Sequence, residues 1–310
     1  MRVLITGVRG FCGRHLARYA SAQGATVVGL SRERAADLEN VQAIGVDLRD
    51  AAALRDVVAK GFDWVFHLAF AGAPADRIGE AMIMTAIRGT ENLLEAIQAC
   101  AARPRLVLVS SAAVYGWASR HGRLTETVTP EPMTVYATLK HAQELLASSY
   151  RTAFGLSLVT VRPFNSVGPG ERGAYVTGAL AAQIVARERG DTRGPIHAGY
   201  LGSYRDFVDV RDVVRACWLA AEQGQDGAVY NICTGRATQV SEVAAMLQQH
   251  ATTAVEIIGE PRPGAFDVPY HCGDPTALHQ RTGWTPTIAL DQSLRDVLSD
   301  LRGAARPCLN

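Results

Sequence analysis

The chain has 310 residues, more than one average domain and long enough to bury a core without disulfide or metal staples. Hydrophobic residues make up 48% and charged residues 20%, a globular balance that excludes disordered, collagenous and coiled-coil chains. Thirty-one basic against 30 acidic residues leave a net charge of +1, so there is no broad electrostatic footprint for nucleic acid or an anionic membrane. Any anionic ligand must be met by a few placed arginines or backbone amides. Lys60 and Lys140 are the only lysines, which draws attention to each. Cys12, Cys100, Cys217, Cys233, Cys272 and Cys308 are scattered with no C-x-x-C pair. They read as reduced, mostly buried thiols rather than zinc ligands or a disulfide scaffold, and no metal site is expected. The apolar run Val3-Leu4-Ile5 gives way to Gly7, too short for a signal peptide, and no stretch reaches the length of a bilayer span. A soluble, cytoplasmic protein is predicted.

Short β-branched runs alternate with segments of helical period through the first half. Residues 2–5, 25–30, 42–46, 63–68, 105–110 and 157–162 read as buried strands. Residues 13–22, 51–60, 81–102 and 135–153 read as the helices between them. That alternation predicts an α/β fold, a parallel, doubly wound Rossmann sheet with helices on both faces. After Arg162 the pattern loosens into the Pro163–Gly173 stretch, then a helix near 178–189. Residues 210–223 read as a helix feeding one more strand at 229–232, and 290–302 as a final helix. Two units are expected: residues 1–165 with about 205–234 as the dinucleotide-binding domain, and about 166–204 with 235–310 as a smaller, discontinuous substrate lobe.

Strand one runs into Thr6-Gly7-Val8-Arg9-Gly10-Phe11-Cys12-Gly13, with a helix to follow. The first glycine allows the tight turn, the second lets backbone approach a pyrophosphate, and the third permits close helix–strand packing. A glycine turn alone is weak, but between a strand and a helix N-terminus it is a dinucleotide site. The end of strand two reads Gly29-Leu30-Ser31-Arg32 with no carboxylate before Glu33. An acidic residue there accepts the ribose hydroxyls of NAD, whereas Ser31 and Arg32 can bond a 2′-phosphate. NADP therefore fits better than NAD, which stays open. Asp47, after strand three, is a candidate partner for the adenine amine.

Tyr136 and Lys140 stand four residues apart on one helix face. With nine tyrosines in 310 residues, chance places one four before a given lysine about 3% of the time, and the helix makes the pair meet. An ammonium beside a phenol lowers the phenol pKa and readies it for proton exchange with a substrate hydroxyl. Strand five ends in Val109-Ser110-Ser111-Ala112-Ala113-Val114-Tyr115-Gly116. Its carboxyl end faces the ligand crevice, where Ser111 can hold a reacting oxygen.

Together these residues resemble the extended short-chain dehydrogenase/reductase family that works on nucleotide-diphosphate sugars. The resemblance runs over nearly the whole chain, through the glycine turn, His67-Leu68-Ala69, residues 110–116, 136–140, 162–170 and 205–209, and Gly283-Trp284-Thr285-Pro286. It implies a catalytic Ser111–Tyr136–Lys140 triad, in which tyrosine is the acid/base, lysine lowers its pKa and anchors the nicotinamide ribose, and serine holds the substrate oxygen. It also implies cofactor contacts from Gly7, Gly10, Phe11, Cys12, Gly13, Ser31, Arg32, Asp47, Leu48, Leu68, Ala69, Phe70 and Pro163. Substrate contacts are implied for Ala112, Asn165 and Val176, with Arg205 and Arg262 clamping the diphosphate, a task suited to guanidinium forks. Two positions depart from the family. Ala86 replaces an asparagine that props the catalytic helix and a proton-relay water, and Phe70 replaces a second alanine beside the cofactor. His67 is expected to be a satisfied core histidine.

Three family chemistries compete. A 4,6-dehydratase fits worst, because Ala112 and Ala113 stand where such enzymes carry acidic residues. Ser-Ser-Ala-Ala-Val-Tyr-Gly is a form many sugar 4-epimerases show, and they hold NAD tightly. The Ser31-Arg32 pair, Phe-Asn-Ser-Val-Gly-Pro-Gly, Arg-Asp-Phe-Val-Asp-Val-Arg-Asp and Val-Tyr-Asn-Ile-Cys-Thr-Gly are most similar to the reductase branch acting on GDP-4-keto-6-deoxy-D-mannose. The expected reaction is NAD(P)-dependent hydride transfer to a 4-keto sugar, with epimerisation the alternative and a non-catalytic dinucleotide sensor the remaining one. The partner is then a nucleotide-diphosphate sugar, and the resemblance suggests a homodimer.

Overall fold

Runs such as Val3-Leu4-Ile5 are apolar at every position because both faces of their strands are covered; all three residues are 0% exposed. The computed structural model describes residues 1–33, 38–70, 79–173, 175–261 and 268–304, with the side chains of Arg120 and His121 left aside. Strands β1 (Arg2–Thr6), β2 (Thr26–Ser31), β3 (Val41–Gly45), β4 (Trp64–His67), β5 (Arg105–Val109) and β6 (Leu158–Pro163) come first. They are followed by β7 (Asn165–Val167), β8 (Ile196–Ala198), β9 (Tyr204–Asp209), β10 (Val229–Ile232), β11 (Ala237–Gln239), β12 (Ile257–Gly259) and β13 (Tyr270–His271). The helices are α1 (Phe11–Ala22), α2 (Ala51–Val58), α3 (Glu80–Met84), α4 (Thr90–Ala99), α5 (Val135–Phe154), α6 (Val176–Glu188), α7 (Val210–Gln223), α8 (Val240–Gln249), α9 (Thr276–Thr282) and α10 (Leu290–Gly303).

Seven strands form one parallel sheet in the order β10-β6-β5-β4-β1-β2-β3. The doubly wound Rossmann expectation holds. Strand periodicity sorts its side chains onto two cores. Val3, Ile5, Val107, Val109, Val159 and Val161 pack with Leu16 and Ala20 of α1 and Val213, Val214 and Cys217 of α7. Leu4, Val28, Val65, Leu106 and Leu108 pack with Leu54 of α2, Leu93 and Ile97 of α4 and Ala147 of α5. The strand order reverses between β1 and β4, where the carboxyl ends of open α/β sheets form a ligand crevice. A third core gathers Leu180, Ile184, Val243, Leu247, Leu294 and Leu298 from α6, α8 and α10 around Val167 and Phe207. Above it β7, β11 and β13 join β9 in a second sheet, and β8 pairs with β12.

The single helix expected over 81–102 is instead interrupted. Residues Thr85–Gly89 form a π-helical turn between α3 and α4, and the helix ends at Ala99. Gly89 sits so close to Leu48 that a Cβ would lie 2.9 Å from the Leu48 Cβ. Residues 112–121, which in sequence show only the strand-five motif, form a 3-10 segment.

Candidate active site

The glycine turn is built by backbone conformation. Gly7 has φ +73°, a left-handed conformation that favours glycine, and its amide donates to the Leu30 carbonyl at 2.9 Å. A side chain there would meet Ala69 backbone at 2.8 Å, so the turn lies directly against the loop leaving β4. At Gly13 a Cβ would stand 2.2 Å from the Gly7 carbonyl oxygen. Both glycines therefore do what the motif predicts. Helix α1 starts after Gly10 with no side-chain cap over its first-turn amides. An uncapped helix start beneath a glycine turn suits a pyrophosphate, so Gly7, Gly10, Phe11, Cys12 and Gly13 fit a dinucleotide.

A buried polar chain holds the neighbouring loop. The Thr6 hydroxyl accepts the Ala69 amide at 3.1 Å and meets His67 Nδ1 at 2.7 Å. His67 Nε2 lies 2.9 Å from the Thr90 hydroxyl, which also accepts from Gln143 of α5 at 2.8 Å. Burial drives the His67 pKa down to about 3, so the ring is neutral. It is the satisfied core histidine expected, and it ties β1, β4, α4 and α5 together.

At the carboxyl end of β2, Ser31 donates to the Glu33 carbonyl and Arg9 pairs with the Glu33 carboxylate at 2.6 Å. Arg49 grips Asp47 through Nη2 at 2.6 Å and through Nε, holding that carboxyl below its usual range. Asp47 thus faces a guanidinium within its own loop. Arg32 is exposed and makes no hydrogen bond or ion pair among the described residues. Leu48 is buried, and its carbonyl accepts from Asn92 at 2.8 Å.

Helix α5 opens with Thr134 capping the Ala137 amide at 3.1 Å, which starts the helix just ahead of Tyr136. Ser111, at the end of β5, lies near enough to the Tyr136 phenol to pull its pKa down and accepts the Ala113 amide at 3.1 Å. Lys140 is 4% exposed and donates to the Val109 carbonyl at 2.9 Å. The serine, tyrosine and lysine are therefore gathered at one strand end. The expected electrostatics differ. Burial pushes the Tyr136 phenol up, Tyr175 adds to that, and Ser111 rather than Lys140 pulls it down. Burial also lowers the Lys140 ammonium to about 8, with Glu144 opposing. The lysine stands over the Phe70 ring, Nζ 5.1 Å from its centroid, and the Phe70 and Tyr136 rings meet in a T at 4.9 Å.

Behind the cluster, Arg162 binds Glu144 through Nε at 2.9 Å and Nη2 at 2.7 Å, both side chains buried. Toward the second sheet, His271 Nε2 lies 3.1 Å from the Ala112 carbonyl. Burial, then the nearby Arg205, lowers the His271 pKa to about 4. Arg205 donates to the Val268 carbonyl at 2.8 Å, and Asn165 donates to the Asp206 carbonyl at 2.9 Å. Pro163 ends β6, and Val176 opens α6, packed on the third core. Arg262 and Cys308 lie outside the described residues. The described cysteines are free thiols, all buried except the half-buried Cys12. Sequence reading missed Tyr175, His271 and Ser166, which pulls the Cys12 thiol pKa down against burial. Only the tertiary fold brings them to the cluster, and no spacing announces them.

A doubly wound parallel sheet, a glycine turn at its switch point and hydroxyls gathered at the end of β5 define a dinucleotide-dependent α/β enzyme. The chain belongs to the NAD dependent epimerase/dehydratase family, whose profile matches residues 3–233. It is 31% identical over 309 residues to a GDP-6-deoxy-D-mannose reductase of Pseudomonas aeruginosa, covering 98% of each chain. Among solved structures it resembles RMD from Pseudomonas aeruginosa complexed with NADPH, at 31% identity, a TM-score of 0.86, and 97% and 98% of the two chains. It also resembles the Thermus thermophilus UDP-glucose 4-epimerase complex with NAD, at 28% identity and a TM-score of 0.86, covering 98% of this chain and 100% of that one. No helix among the described residues is long and apolar enough to cross a membrane.

Proposed function

We propose that this protein is a cytoplasmic, NADPH-dependent reductase of a 4-keto-6-deoxy nucleotide-diphosphate sugar. The observation that carries the reading is the gathering of Ser111 and Tyr136 around buried Lys140 at the carboxyl end of β5. When bound, the nicotinamide supplies the hydride. Ser111 holds the carbonyl oxygen of the sugar, and Tyr136 gives that oxygen its proton. A phenol pushed up by burial keeps its proton at neutral pH, the state a reduction requires. Lys140, lowered only to about 8, remains charged there and keeps a cation beside the developing alkoxide.

The choice of NADPH is supported by Arg32. Arg9 is committed to Glu33 and Arg49 to Asp47, which leaves Arg32, among the described residues, as an exposed guanidinium at the end of β2 for a 2′-phosphate. Asn165 and Arg205 would meet the diphosphate of the substrate, and the resemblance gives Arg262 the same task. Residues 1–165 with about 205–234 would bind the dinucleotide, and the remainder the sugar nucleotide. Exposed Leu145 on α5 and Ile83 and Met84 ahead of α4 support a homodimer.

One feature favours an epimerase with retained NAD as the second reading: Ser111 is followed by Ala112 and Ala113 rather than by acidic residues. Denaturing the purified protein and identifying any released nucleotide separates the two. A reductase emerges empty and binds added NADPH more tightly than NADH. Stoichiometric NAD surviving gel filtration would instead establish the epimerase.

A further inference from the structure

Phe70, on the loop leaving β4, touches both ends of the Tyr136–Lys140 pair. Its ring meets that of Tyr136 at 4.9 Å and an interplanar angle of 74°. The Lys140 Nζ lies 5.1 Å from its centroid, inside the range where a ring face attracts a cation. The ring packs in a small apolar cluster with Met82, Ala86 and Leu139. Ala86, in that cluster, is 0% exposed.

The buried ammonium has few other partners. It donates to the Val109 carbonyl, and the titratable groups facing it are Glu144 on its own helix, Cys12 on α1 and His67 on β4. Glu144 is bound through both oxygens by Arg162. His67 is neutral, and burial pushes the Cys12 thiol up to about 11. No uncommitted anion stands beside the lysine among the described residues. A ring face is then the contact that offsets lost hydration, and it is strongest where water is excluded.

We propose that Phe70 is a positioning residue of the active site, whose ring, packed against the Met82–Ala86–Leu139 cluster, holds the Lys140 ammonium over its face and braces the Tyr136 ring. This rests on reading Ser111, Tyr136 and Lys140 as the catalytic group. It assigns Phe70 a task that an aliphatic side chain of similar size cannot perform.

Because Lys60 and Lys140 are the only lysines, labelling lysine at Cε with carbon-13 gives two resonances, with exposed Lys60 as the reference. In the wild type the Lys140 Cε protons sit upfield under the Phe70 ring current. Phe70→Leu moves them toward the Lys60 position and lowers the Lys140 titration midpoint by about half to one pH unit. Phe70→Tyr, which keeps the ring, restores both. In turnover, Phe70→Leu lowers kcat about 2- to 30-fold and leaves the KM for the nucleotide sugar unchanged. A Lys140 resonance and midpoint unmoved by Phe70→Leu would overturn the proposal. Phe70→Met carries the same comparison if the leucine variant folds poorly. The resonances are read without turnover, so they stand apart from the triad reading, which fails separately if Tyr136→Phe stays active.

Discussion

Tyr136 and Lys140 owe their protonation states to burial more than to each other. The four-residue spacing of the pair is visible in the sequence, and so is its helix. The sign of the tyrosine shift is not visible, because it depends on desolvation and on which groups the fold brings near. A lysine satisfied by the Val109 carbonyl and the Phe70 ring does not act on the phenol as spacing alone suggests. Replacing Tyr136 by phenylalanine should cut kcat by roughly 10²–10⁴-fold, the contribution of a positioned proton donor, while titration with NADPH shows binding retained. Lys140 is lowered to about 8, so its charge is present below that pH and lost above it. The pH profile of reductive kcat/KM should accordingly fall on the alkaline side near pH 8. Arg32→Ala should weaken NADPH binding by about 1.5–3 kcal/mol, the worth of a charged hydrogen bond, and leave NADH binding within about twofold.

Elements whose pattern is local were legible, and elements made by tertiary pairing were not. The apolar runs of β1 to β6 and the periodicity of α5 and α7 stand out in one dimension because each buries a continuous face. Strands β11 and β13 are three and two residues long and exist only as partners of β9. The π-helical turn at Thr85–Gly89 was likewise hidden, since its sequence has an ordinary helical period. The glycine turn was legible because its chemistry demands residue types at fixed spacing, as Gly7 and Gly13 show. The Glu144–Arg162 link between α5 and β6 was not, for neither residue carries a pattern. Removing one partner of a buried pair leaves an uncompensated charge. Arg162→Met should therefore lower the unfolding free energy by roughly 3–5 kcal/mol in denaturant titrations.

Over the whole molecule, histidines whose pKa burial lowers contribute to the response to acid. His67 is lowered to about 3 and His271 to about 4, and His15 is lowered as well, each chiefly by burial. A histidine whose folded pKa lies below its unfolded value of about 6.5 contributes stability above that pH. The contribution is lost as pH falls toward the folded pKa. Glu171, which burial raises to about 7, opposes this by destabilising the fold as pH rises from its ordinary value through 7. Between pH 7 and 5 the wild type should lose about 2 kcal/mol more stability than His67→Gln, as measured by urea unfolding at the two pH values. Equal losses would show that the folded His67 pKa is not lowered.

The fold and site meet in a single reaction, and net cofactor consumption tests it most directly. Purified protein should be incubated with NADPH and a 4-keto-6-deoxy nucleotide-diphosphate sugar, with cofactor oxidation followed by absorbance and product by mass. The predicted result is one NADPH oxidised for each sugar reduced, with turnover abolished in Tyr136→Phe. Interconversion of nucleotide sugars with no net NADPH oxidation would contradict it.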